Sequence, residues 1–127
     1  MNREEILLIP QKYKQLRRKE LRLEYLRAKV EGAQAITTEE RVQTSPTVSM
    51  AMVDAAVDLE MEIRRDRDEL KNLQRGARAE IDKLDGEDKE IMSLRYLRGL
   101  TWSEVACVVA YDVRTCLRKH QRFLASL

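Results

Sequence analysis

Aromatic residues, glycine and proline are all scarce in this chain: one phenylalanine, one tryptophan, four tyrosines, four glycines and two prolines among 127 residues. An enzyme with a deep pocket usually carries more aromatic and glycine residues, so the composition points away from catalysis. No glycine-rich phosphate loop and no nucleophile elbow occur. No apolar run is long enough to span a bilayer. The short run Ile6–Ile9 follows early charges and does not read as an export signal. Only two cysteines are present, Cys107 and Cys116. Neither has metal-type spacing, so both are expected as buried free thiols in a reducing cytoplasm. The one histidine, His120, has no second histidine beside it and is expected in a core, bonded to backbone. No catalytic, metal or cofactor site is expected.

What is abundant is charge. Lys, Arg, Asp and Glu make up 36% of the chain, with a net charge of only +2. Such side chains lose little rotamer freedom in a helix, so an all-α fold is expected. From Gln11 to about Glu31, Leu16, Leu23 and Val30 recur every seven residues, with Leu26 and Ala33 between them. That is a coiled-coil seam, interrupted by Lys19. Pro10 is expected to open this helix and Gly32 to close it. The stretch 32–47, rich in threonine and serine, reads as a loop.

A second helix is expected from Thr47 or Ser49 to about Leu84. Its seam is Ala56, Ile63, Leu70, Ala77 and Leu84, with Met52, Leu59 and Leu73, and Asp66 breaks it. Met50, Met52 and Met61 read as packing material. Acids such as Asp54, Asp58 and Glu62 read as a solvated stripe offset by Arg64, Arg65 and Arg67. A helix so long and polar must lay its stripe on a partner. Residues 1–84 are therefore expected as a long antiparallel helical hairpin, a coiled coil, with a homodimer through it as a candidate assembly.

Asp85-Gly86 makes a break, and residues 85–127 read as a separate unit of three helices. The first runs from Glu87 to Arg98, with Ile91, Leu94, Leu97 and either Tyr96 or Met92 facing a core, and Gly99 stops it. Thr101 and Glu104 form a capping box, opening a helix from Trp102 to about Val109. Trp102 reads as the apolar anchor of that helix. Asp112 caps a last helix from Val113 to about Ser126. Two short helices joined by a tight turn read as a helix-turn-helix. Val105, Val109, Cys116, His120 and Leu124 are its expected core, with Ala106 the small residue where the helices approach.

On the last helix, Cys116, His120, Phe123, Leu124 and Leu127 share one face. Arg114, Thr115, Arg118, Lys119, Gln121 and Arg122 take the rest, and they are the candidate DNA-binding residues. Arginines so placed can donate bidentate bonds to guanine edges, and lysine can neutralise phosphate. Asp112 and Thr115 stand near the helix start, where backbone donors can meet a phosphate. Four bases face a single acid, Asp112, over the last sixteen residues, which makes duplex DNA the expected partner.

The stretch from Asp88 to Leu127, with "LRYLRGLTWSEVA" and then "YDVRTCLRKH", resembles the fourth region of sigma-70 factors. Leu94, Arg95 and Tyr96 match that family's first helix, and Thr101, Glu104, Val105 and Ala106 its second. Asp112, Thr115 and Cys116 stand where a cap, a DNA-facing threonine and a core valine belong. Ala110 departs from the pattern by replacing the usual turn glycine. The whole chain, including "RVQTSPT", resembles phage-encoded late transcription regulators of the RinA and ArpU type from gram-positive bacteria. This resemblance implies a phage or prophage transcription regulator in the bacterial host cytoplasm, with host RNA polymerase as a candidate partner. Aromatics are too few for promoter melting, so transcription initiation by this chain alone is not expected. Two alternatives stand beside this reading. One is a small terminase-like subunit for phage DNA packaging, and the other is a structural coiled-coil interaction protein.

Overall fold

A computed structural model describes the backbone of residues 1–35 and 46–127, and the side chains of residues 1–32 and 50–127. The described residues are all helical, with no strand among them. The order is α1 (Arg3–Ala35), α2 (Pro46–Ile81), α3 (Gly86–Met92, continuing into a π turn at Ser93–Leu97), α4 (Trp102–Val109) and α5 (Val113–Ala125). Among the described residues no helix is long and apolar enough to cross a membrane. Most of the expected loop at 32–47, the side chain of Ala33 and the "RVQTSPT" segment up to Ser45 lie outside the described residues.

Two compact units divide the chain, one of Met1–Tyr13 with Asp68–Leu127 and one of Lys14–Arg67. The expected boundary at 84–85 is not where they part. The physical reason is polar bonding that ties the helix ends to α3. The Tyr13 hydroxyl donates to the Leu97 carbonyl at 3.0 Å. Gln74 donates to the Tyr13 hydroxyl and, at 3.2 Å, to the Tyr96 carbonyl.

In the first of these units α1 begins earlier than expected. The Asn2 side chain accepts from the Glu5 N–H at 2.8 Å, which caps the helix. Pro10 therefore sits inside α1 rather than at its start. Its ring nitrogen cannot donate to the Ile6 carbonyl, a loss the helix survives because Ile6 and Ile9 are both fully buried. Each such isoleucine contributes roughly 1.5–3 kcal/mol. α2 ends at Ile81, also fully buried, so Leu84 falls in the turn beyond and is half-buried.

Inside α3, Ile91, Met92 and Tyr96 are all fully buried. In a regular α-helix, five residues would turn Tyr96 about 140° away from Ile91. The wider π turn, closed by the Arg98 N–H on the Ser93 carbonyl at 3.1 Å, brings Tyr96 back to the same side. Leu94 and Leu97, also expected in the core, are only half-buried. Gly99 ends the element in the left-handed region, at φ 74°. A Cβ there would lie 2.5 Å from the Tyr13 ring, so glycine is required twice over.

In the unit Lys14–Arg67, ion pairs join the two segments. Lys19 lies 2.6 Å from Asp66 and 3.5 Å from Glu62. Glu20 pairs with Arg67 at 2.8 Å, and Arg27 pairs with Glu60. These pairs join residues 19–27 of α1 to residues 60–67 of α2. Leu16, Leu23, Ala56, Leu59 and Ile63 are buried between them. The two residues that break the apolar pattern, Lys19 and Asp66, are thus each other's partner. Asp66 is 7% exposed. Val30, Leu26 and Met52 are half-buried. Met50 and Met61, expected as packing, are exposed, because they lie off the seam. Gly32 does not close α1, which continues to Ala35, since no left-handed residue stops it there.

Candidate nucleic-acid interface

Local bonds set α4 and α5 at their expected positions. The Thr101 hydroxyl accepts from the Glu104 N–H at 3.2 Å, and the Glu104 carboxylate accepts from the Thr101 N–H at 3.1 Å. This reciprocal cap satisfies two donors that a helix start leaves open. α4 then ends at Ala110, which adopts φ 59° and ψ 35°. A side chain in that left-handed region costs roughly 1–2 kcal/mol. The chain thus turns between α4 and α5 on a left-handed alanine. Asp112 caps α5 by accepting from the Thr115 N–H at 2.8 Å. The Thr115 hydroxyl, then this N–H bond and the nearby Arg114 and Arg118, hold its carboxyl below the usual range. It also occupies the Thr115 donor, so that donor is not open to a phosphate as expected.

The buried side of α5 is Cys116, His120, Phe123 and Leu124. Leu127, beyond the helix, is half-buried, as is Val109, while Val105 and Ala106 are buried on α4. His120 is bonded to the Tyr96 hydroxyl, not to backbone as expected. Its ring lies 4.6 Å from Trp102 and 5.7 Å from Tyr96, and Phe123 lies 6.1 Å from Tyr96. Burial, with the Arg95 charge nearby, pushes His120 down to about 4, so the ring is neutral at neutral pH. Burial pushes the Tyr96 hydroxyl up to about 12. Arg95 stacks over Trp102 at 5.0 Å and donates to the Leu100 carbonyl at 3.0 Å. Trp102 is therefore held between a cation and an imidazole. Cys107 is exposed, contrary to expectation, because it lies on the side of α4 away from Val105 and Ala106, whereas Cys116 is buried.

All six candidate DNA-binding residues lie on α5, but they are not equivalent. Arg114, Arg118, Gln121 and Arg122 are exposed. The three arginines are four residues apart and form one ridge opposite the buried side. Among the described residues none of the three has an ion-pair partner. Thr115 is half-buried. Lys119 departs most: its ammonium lies 2.9 Å from Asp88 on α3, with the side chain 20% exposed. Comparison with family models, with curated proteins and with solved structures finds no match. The interface must therefore be judged on its own chemistry.

Two kinds of residue escape sequence reasoning. Asp88 engages Lys119 from 31 positions away, and no local spacing signals it. Val113 and Leu117 leave apolar side chains in water beside the arginine ridge. Spacing alone hides them, since Val113 stands three residues before buried Cys116 and Leu117 three before buried His120. Among the described residues no cluster of three or more metal-ligating side chains occurs.

Proposed function

We propose that the chain is a DNA-binding transcription regulator without catalytic activity of its own. In this reading α4 and α5 form a helix-turn-helix like that of sigma-70 region 4, and α5 enters the major groove. α1 and α2 form a coiled-coil hairpin that carries this unit. The setting is a phage or prophage, with host RNA polymerase as the protein partner. One observation carries the reading: three guanidinium groups with no ion-pair partner among the described residues stand in a row on a capped helix, opposite a side anchored by Cys116, His120, Phe123 and Leu124. Guanidinium groups so presented can bind phosphate or guanine edges, whereas an ordinary solvated face mixes both signs.

The test is selection of bound fragments from random duplex DNA, followed by affinity measured against salt. The logarithmic salt slope should steepen by about 0.9 for each phosphate contact. Arg118→Ala should weaken binding and remove about one such increment if the contact is to phosphate, or relax base preference at one position if it is to guanine. Failure to bind any duplex at low salt would overturn the proposal and favour a structural role. Sizing the complex separates a regulator, one or two copies, from a packaging ring of many.

A further inference from the structure

A recognition helix made only of arginine would read guanine and phosphate. α5 carries something else at its start. Val113 and Leu117 are 37% and 39% exposed, one turn apart, each immediately before an arginine of the ridge. Val113 stands three residues before Cys116 and Leu117 three before His120, so both lie at the edge of the buried side. Each keeps more than a third of its surface in water, and that exposed apolar area is unfavourable. Only one apolar group projects from base pairs into the major groove, the C5 methyl of thymine. The first turns of a recognition helix are the part that meets base edges.

Resting on the duplex-binding reading above, we propose that Val113 and Leu117 read thymine by enclosing its methyl group, beside guanines held by Arg114 and Arg118. The partner is thus duplex DNA in which thymine adjoins guanine. Continuity with the arginine ridge argues for it. Any occupant of the apolar strip also meets guanidinium groups that form no ion pair among the described residues, and DNA supplies both the methyl and the phosphates. The two arginines set the charge-dependent part of affinity, while the valine and leucine set a part that salt does not screen.

The experiment uses the full chain and duplexes enriched from a random pool. Deoxyuridine then replaces thymine at each enriched position; it pairs identically but lacks the methyl. Wild-type affinity should fall about fourfold for each contacted methyl removed, the worth of one buried carbon. Leu117→Ala should bind the thymine duplex more weakly and lose the discrimination at one position. Val113→Ala should do the same at a neighbouring one. Both sites are at the surface, so helicity by circular dichroism should be unchanged. Leu117→Gln keeps the length of the side chain and should also lose the discrimination. Equal wild-type affinity for thymine and deoxyuridine duplexes would overturn the proposal and leave duplex binding standing. So would Leu117→Ala with discrimination intact, which would assign the strip to a protein partner. If no duplex is enriched at all, both proposals fall together.

Discussion

In the unit Lys14–Arg67, two helical segments meet along a narrow apolar line that is broken once, and a lysine and an aspartate meet at the break. In the segment from α3 to α5, the helices close instead around rings: Tyr96, Trp102, His120 and Phe123. The first region sets opposite charges where the apolar line is broken. The second uses a neutral imidazole, wedged beside an arginine, where packing is dense. Charge in the first region specifies which residues stand opposite each other. In the second region the imidazole stays neutral and serves as a hydrogen-bonding partner, with the Arg95 cation stacked on Trp102 beside it.

The largest expected effect breaks the first region at its charged step. Lys19→Leu leaves Asp66 buried without its lysine, which costs roughly 3–5 kcal/mol for a buried pair, toward the lower end because Lys19 is 29% exposed. Lys19→Leu combined with Asp66→Leu should recover most of that loss. Urea unfolding followed by circular dichroism measures both. Equal stability of the single variant and the wild type would show that the pair contributes nothing to this seam.

Next comes the second region's dependence on pH. His120 has its pKa pushed down from 6.5 to about 4. The unfolded chain therefore takes up a proton between those values while the folded chain does not. Stability is full above pH 6.5 and falls as pH drops toward 4, by about 3 kcal/mol in all at 1.36 kcal/mol per pH unit. His120→Gln, which does not titrate, should flatten that slope between pH 6.5 and 4.5 while lowering stability at pH 7. A His120→Gln slope as steep as the wild type's in urea titrations at several pH values would show that another group is responsible.

These two regions also differ in how far they could be read beforehand. The caps at Thr101–Glu104 and Asp112 were legible because each bond spans three residues. Lys19 and Asp66 were legible as misfits, but their partnership joins positions 47 apart, and spacing along one helix does not reveal it. Lys119–Asp88 and His120–Tyr96 were hidden for the same reason. The π turn is hidden because the α-helical period sets Tyr96 away from Ile91, and only the wider turn returns it to the same side. Pro10 and Gly32 misled in the opposite sense. Each is a strong local signal, and burial of Ile6 and Ile9 outweighs the proline.

The smallest expected effect sharpens the contrast at Ala110. The left-handed backbone costs alanine roughly 1–2 kcal/mol, and glycine brings an entropic cost of its own near 0.5–1 kcal/mol. Ala110→Gly should therefore stabilise the α4–α5 turn by about 0.5–1 kcal/mol and leave the first region untouched. A lowered melting temperature would mean that the alanine methyl makes a contact the turn needs.

The position of Trp102 has an optical consequence. It is the only tryptophan in the chain, and its ring lies 4.6 Å from an imidazole whose ionisation accompanies loss of structure. Indole emission therefore reports on the α3–α5 segment alone, since Lys14–Arg67 contains tyrosine but no tryptophan. Fluorescence and circular dichroism recorded on one sample would follow the second region and the whole helical content separately, and a gap between the two transitions would reveal whether the regions melt as one.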